Sequence, residues 1–356
     1  MTIARLARPE IQALEPYAAA AQVDDTIRLN ANEAPWSSST DKFRRPLNRY
    51  PEIRPAQLRA AFAARYGCDQ RKLLVTRGTS EAIDLLVRVF CRAGQDNLLT
   101  TTPTFSMYKH YADVQGAQLR ELETSRNNNF SIDVGALLDR CDESTRLIFV
   151  CSPNNPTGTV FPRSSLLELL QKRGDRSAIV VDEAYIEFAG EASAIELLDR
   201  FENLIILRTL SKALAFAGAR CGAVMGPTPV IDMLNAVQAP YALATPVVEC
   251  VEDAMQSEYL TETGRWLEQV VAERERLSAA VSEFPFVQQV WPSAANFFLI
   301  QVNNVAALMA QGSDDKVLLR YFSGDLADCV RITVGTQAEN DRLLQTFTKV
   351  ARAQHV

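Results

Sequence analysis

Residues 204–220 read LIILRTLSKALAFAGAR. A branched apolar run breaks off into Arg208, Thr209, Ser211 and Lys212, and small or apolar residues then carry the chain to Arg220. Such a run reads as a strand buried on both faces, with its polar residues at the carboxyl end. Lys212 admits two readings. A surface lysine lays its stem on apolar neighbours and keeps its charge in water. A lysine in a partly desolvated pocket loses proton affinity and becomes a nucleophile towards carbonyls. The rest of the chain has to decide.

The same pattern recurs upstream. LLVTR (73–77) precedes a helical pattern over 80–94, and NLLTT (97–101) precedes another over about 104–115. RLIFV (146–150) leads to a helix around 163–173, then come AIVVD (178–182) and LIILR (204–208). Strand–helix alternation of this kind predicts an α/β fold, a mainly parallel sheet covered by helices on both faces. After about 245 the pattern changes to long charged helices (roughly 247–284), the short strands VQQVW, FFLIQV, VLLRYF and VRITV, and a last helix from 337. We expect an N-terminal segment (1–44) packed with a small C-terminal α+β unit (246–356), and a large ligand-binding unit between them (45–245).

Composition narrows the function. The chain has 356 residues, 47% of them hydrophobic, enough for more than one core. A net charge of −6 without a basic run disfavours nucleic acid and anionic membrane surfaces as partners. The longest apolar stretches are too short to span a bilayer, and the N-terminus lacks the apolar core of a signal peptide, so a cytoplasmic location is expected. Seven scattered cysteines with no CxxC pair suggest reduced thiols and no metal framework. Only His110 and His355 exist, so a histidine-rich zinc site is excluded and a Ser–His–Asp triad would rest on His110.

In open α/β sheets ligands sit outside the carboxyl ends of the strands. Here RGTSEA (77–82), CSPNNPTG (151–158), DEAY (182–185) and RTLSK (208–212) all follow strands. RGTSEA sets a glycine and two hydroxyls at a helix start, which is either an ordinary N-cap or a place for an anion such as phosphate. There is no GxGxxG, which disfavours a glycine-fingerprint nicotinamide oxidoreductase, and no P-loop. Asp182 ends an apolar run, where a carboxylate needs a cationic partner. It could cap the next segment; beside a pyridine nitrogen it would keep that nitrogen protonated and make the ring an electron sink.

Together SPNNPTG, DEAY and SKALAFAGARCG resemble the pyridoxal-phosphate aminotransferases of fold type I. LNANE (29–33), NRYPE (48–52), LLRYF (318–322) and CVRITVG (329–335) narrow the resemblance to the histidinol-phosphate aminotransferases, from about residue 5 to 350. It implies a mostly parallel seven-stranded sheet between helices plus a smaller α+β domain, with pyridoxal 5'-phosphate as cofactor. Lys212 would carry the Schiff base and shuttle the proton, and Asp182 would pair with the pyridine nitrogen. Asn155 and Tyr185 would bond the ring oxygen, and Phe105 would stack on the ring. The cofactor phosphate would meet Thr79, Ser80, Thr209, Ser211 and Arg220, and also Tyr50 donated by the other subunit of a homodimer. Arg331 and Arg320 would bind the anionic ends of glutamate or 2-oxoglutarate and of a phosphorylated amino alcohol, with Tyr17 and Asn30 at the substrate mouth. Ser80 stands where relatives commonly have aspartate. An aromatic amino-acid aminotransferase or a threonine-phosphate decarboxylase of the same fold is the alternative, and a non-catalytic relative is the reading from another class.

Overall fold

The computed structural model describes residues 2–18, 20–22 and 26–353; His355 lies outside the described residues. The helices are α1 (Pro9–Gln12), α2 (Ala56–Tyr66), α3 (Gly78–Phe90), α4 (Met107–Gln115), α5 (Val134–Asp139), α6 (Arg163–Arg173), α7 (Thr228–Val237), α8 (Thr245–Ala254), α9 (Ser257–Ser282), α10 (Val305–Asp314) and α11 (Gln337–Ala353). The strands are β1 (Leu73–Thr76), β2 (Asn97–Thr102), β3 (Gln118–Glu123), β4 (Thr145–Cys151), β5 (Ala178–Asp182), β6 (Leu204–Thr209), β7 (Gly222–Met225), β8 (Val287–Val290), β9 (Phe297–Val302), β10 (Arg320–Tyr321) and β11 (Cys329–Thr333).

The large sheet has seven strands in the order β1-β7-β6-β5-β4-β2-β3. Its neighbours pair in parallel except around β7, which is antiparallel to both β1 and β6. Every residue of β5 and β6 is buried, as expected of central strands covered by helices on both faces. The carboxyl ends of β1, β2, β4, β5 and β6 therefore open on one rim. Alternate side chains of these strands feed two cores, one against α2 and α6 and the other against α3, α4 and α7. Beyond the large sheet lies a four-stranded antiparallel sheet in the order β10-β11-β9-β8.

That smaller sheet shares a third core with Leu277 and Val281 of α9 and Leu343, Phe347 and Val350 of α11. The other half of α9 lies on the large-sheet core through Leu260 and Leu267, so one helix of 26 residues touches both cores. Val248 and Val251 of α8 also belong to the large-sheet core.

The start of the chain departs from expectation. Ile3 and Ala7 are buried in the core beside α3 and α7, and the Arg8 N–H bonds the Val89 carbonyl 2.9 Å away. It packs on the large sheet because that layer offers an apolar slot for Ile3, whereas the small sheet is covered by α9 and α11. Residues 14–50 that are described carry little regular structure and expose large apolar side chains, Ile27 at 89%, Leu29 at 90% and Trp36 at 73%.

Candidate active site

The rim holds a cavity of about 520 Å³. Strand ends and the segments that follow them supply most of its lining, including ten residues singled out from the sequence: Thr79, Ser80, Phe105, Asn155, Asp182, Tyr185, Thr209, Ser211, Lys212 and Arg220. Arg320 from β10 and Arg331 from β11 close the far side. Antiparallel pairing sets these two arginines directly opposite each other, Arg320 against Arg331. Tyr17, Asn30 and Tyr50 do not line it. Tyr17 is 60% exposed, the Asn30 side chain bonds the Ala21 carbonyl at 2.9 Å, and Tyr50 stacks on Tyr241 with ring centroids 4.6 Å apart. These three belong to the surface arm, which the chain does not fold over its own cavity.

At one end of the cavity is the start of α3. The first-turn N–H groups of Thr79 and Ser80 have no acceptor among the described residues. Ser211 Oγ accepts from Arg220 Nη1 at 3.4 Å and from the Thr209 hydroxyl at 3.0 Å, so three hydroxyl and guanidinium groups cluster there. Gly78 leaves room for them. Its φ is +73°, and a Cβ would come within 2.9 Å of Arg220 Nη2. Free N–H groups, a helix dipole and an arginine form a cradle for a phosphate.

At the other end Asp182, 1% exposed, terminates β5. Its Oδ1 accepts the Ala184 N–H at 3.2 Å and its Oδ2 accepts the Tyr108 hydroxyl at 2.9 Å. Burial pushes its pKa up to about 6, while the Tyr108 hydrogen bond and the positive Lys212 pull the other way. Lys212 is open to solvent through the cavity, yet the surrounding protein and the like charges of Arg331 and Arg220 lower its proton affinity. Its Nζ lies 5.6 Å from the centre of the Tyr185 ring. Tyr185 accepts from Asn155 Nδ2 at 3.3 Å, and burial drives its phenol upward, keeping it protonated. Asn155 Oδ1 in turn accepts from Arg331 Nη1.

Three cavity arginines, Arg220, Arg320 and Arg331, have no carboxylate within ion-pair distance among the described residues, and Arg331 Nε is buried without a partner. Cations left unpaired around one cavity mark it for anionic ligands. A pyridine ring with a phosphate at one end and a basic nitrogen at the other matches this donor set: cradle, carboxylate, and the Asn155–Tyr185 pair between them.

Three residues at the cavity or beneath it carry no role from the motifs: Tyr108, Cys151 and Phe322. Tyr108 sits at an apolar helical position and reads as core; Cys151 is the last residue of β4, opposite Asp182 in the parallel register. Phe322 lines the cavity beside Arg320, whose guanidinium is 5.9 Å from its ring. Arg208, which had no assigned role, is structural. It is 7% exposed, pairs with Glu187 at 2.6 Å and Glu183 at 3.3 Å, and lies 4.7 Å above the Tyr66 ring. It ties the segment after Asp182 to β6. His110 is exposed on α4 and away from the cavity, which disposes of a serine triad.

Comparison with known proteins agrees with this geometry. The family model described as aminotransferase class I and II matches residues 24–347. Histidinol-phosphate aminotransferase of Aeromonas hydrophila is 40% identical over 350 residues, 97% of each chain. That of Shigella sonnei is 37% identical over 351 residues, 98% of each. Among solved structures, histidinol-phosphate aminotransferase from Sinorhizobium meliloti in complex with pyridoxal-5'-phosphate superposes with a TM-score of 0.78 at 23% identity, covering 86% of this chain and 84% of that one. The Clostridium acetobutylicum enzyme gives 0.78 at 21% identity, covering 86% and 92%. A lysine, a buried carboxylate and an anion cradle on one rim, with relatives matched over nearly their full length, place this chain in the aminotransferase class I and II family.

Proposed function

We propose that the chain is a histidinol-phosphate transaminase, exchanging the amino group between L-histidinol phosphate and 2-oxoglutarate to give imidazole-acetol phosphate and L-glutamate, a step of histidine biosynthesis. The observation that carries the reading is the convergence of Lys212, Asp182 and three acid-free arginines on one cavity, in a chain matching relatives of that name at 37–40% identity. Pyridoxal 5'-phosphate, when bound, supplies the electron sink for the carbanion at the substrate α-carbon.

Every other part falls to the chain's own residues. Thr79, Ser80, Thr209, Ser211 and Arg220 would hold the cofactor phosphate, and Asp182 would hold a proton on the pyridine nitrogen. Asn155 and Tyr185 would donate to the ring oxygen, and Phe105 would cover one face. Lys212, its proton affinity already lowered, is suited to accept the α-proton and return it, as a general base near neutrality must. Arg331, half-buried and fixed by Asn155, and the exposed Arg320 would take the carboxylate of one substrate and the phosphate of the other. Two arginines from paired strands let one site accept two differently shaped anions.

The assembly we read is a homodimer in which the arm places Tyr50, with Tyr17 and Asn30, at the other subunit's cavity. The apolar surface of Ile27, Leu29 and Trp36 supports it, since monomers rarely leave such groups uncovered together. A cytoplasmic setting fits seven unpaired cysteines. No helix among the described residues is long and apolar enough to cross a membrane, and none holds a metal-binding cluster. The test is glutamate formation from L-histidinol phosphate and 2-oxoglutarate by the purified protein, and its loss in Lys212→Ala with near-UV circular dichroism unchanged. Turnover at the normal rate in that variant contradicts the assignment. Carbon dioxide release from phosphothreonine without glutamate formation establishes the decarboxylase instead.

A further inference from the structure

Beneath the cavity floor lies a phenol that neither the chemistry above nor the packing requires. Tyr108 of α4 is fully buried. Its ring stacks on Phe149 of β4, centroids 4.8 Å apart and planes at 19°, and Phe105 of the cavity wall meets it edge-on at 5.8 Å. A phenylalanine would fill the same slot without burying a hydroxyl, which is costly unless it is partnered. The partner is the Asp182 carboxylate, 2.9 Å away.

We propose that Tyr108 is a positioning residue for cofactor binding and turnover: its hydroxyl fixes the Asp182 carboxylate, of which it is the sole side-chain hydrogen-bond donor among the described residues, and its ring backs the Phe105 wall. The proposal rests on the reading of Asp182 as the acid that faces the pyridine nitrogen.

The surroundings of Asp182 explain why such a donor matters. Cys151 of β4 faces it across the strand register, with a thiol kept protonated by burial; Glu183 follows it in the chain; Lys212, on the loop after β6, acts on it through space by its charge. Burial and Glu183 favour the neutral acid, and the Tyr108 bond, the Ala184 N–H and Lys212 favour the carboxylate. The Tyr108 phenol itself is pushed far above its ordinary range, first by burial and then by Asp182, so it stays a donor throughout the working pH range. Remove the hydroxyl, and the balance tips towards the neutral acid, which no longer holds a proton on the ring nitrogen.

Tyr108→Phe keeps the ring and deletes the donor. We expect the cofactor dissociation constant of the apo-protein, followed by fluorescence titration, to rise roughly tenfold at pH 7, the scale of one lost hydrogen bond to a charged group. The rise should be larger at pH 6 and smaller at pH 8.5, and the acid limb of the kcat/KM profile should move to higher pH. In an Asp182→Asn background, itself weakened in cofactor affinity, the same Tyr108→Phe change should add nothing. A penalty of equal size in both backgrounds and independent of pH means that Tyr108 only packs, and overturns the proposal. Full cofactor affinity in Asp182→Asn alone refutes the underlying assignment of Asp182, and the proposal with it, whatever Tyr108→Phe does.

Discussion

Gly78→Ala isolates the phosphate cradle from the rest of the site. Gly78 has φ of +73°, where a Cβ costs about 1–2 kcal/mol, so thermal unfolding of the apo-protein should fall by about 2–8 °C. The new Cβ would also lie 2.9 Å from Arg220 Nη2, closer than carbon and nitrogen can sit. That contact is with the free end of a flexible side chain, so the guanidinium can swing aside with little further loss of folding stability. The loss appears when an anion must be held. If Arg220 holds the cofactor phosphate beside Ser211, it would lose that place, and a charge-assisted hydrogen bond of roughly 1.5–3 kcal/mol would go, about 10- to 150-fold in affinity. Titrating cofactor into apo-protein measures this directly, with Lys212 chemistry intact. A destabilised variant that binds cofactor as tightly as wild type would refute the placement of Arg220 at the phosphate.

Three further outcomes follow from other parts of the molecule. Arg208→Met leaves Glu183 and Glu187 buried without their cation, and urea unfolding should show a loss of roughly 3–5 kcal/mol; a loss below 1 would mean the network contributes little. Asp182 in the apo-protein titrates at about 6, above the ordinary carboxylate near 4, so the folded state keeps a proton that the unfolded chain has released. Its contribution to stability is therefore present below pH 4 and lost as pH rises through 6, and Asp182→Asn should gain on wild type across that interval by a few kcal/mol; a gain on acidification has the wrong sign. Arg331→Lys keeps the charge but not the planar fork, and kcat/KM for both anionic substrates should drop roughly 10- to 100-fold with cofactor affinity unchanged; equal losses in both would place Arg331 at the cofactor instead.

The strand ends were legible because each pairs a continuous apolar run with an abrupt polar one. AIVVD and FFLIQV coincide with β5 and β9 to the residue, and the helix read at 163–173 is α6. What escaped lacks that contrast. β3 reads QLRELE, charged because it is the exposed edge of the sheet, and β7 is four residues of GAVM running against its neighbours. The helical pattern expected from 104 begins at Met107, because Pro103 and the wall residue Phe105 occupy the turn. Twelve of the residues the motifs single out line one cavity, but Tyr17, Asn30 and Tyr50 lie on an irregular arm outside it, whose course no apolar periodicity marks. Tyr108 could not be separated from core by spacing alone, since only its contact with Asp182, 74 positions away, distinguishes it from a filler.

A cavity that takes an amino group from a phosphorylated amino alcohol must do so in a half-reaction without acceptor. Pure cofactor-loaded protein should be mixed, without acceptor, with L-histidinol phosphate, phosphothreonine or phenylalanine, and the loss of the cofactor's visible absorption band followed in time. Conversion should be fastest with L-histidinol phosphate, and 2-oxoglutarate should restore the band. Faster conversion with phenylalanine, or no band change with any of the three, contradicts it.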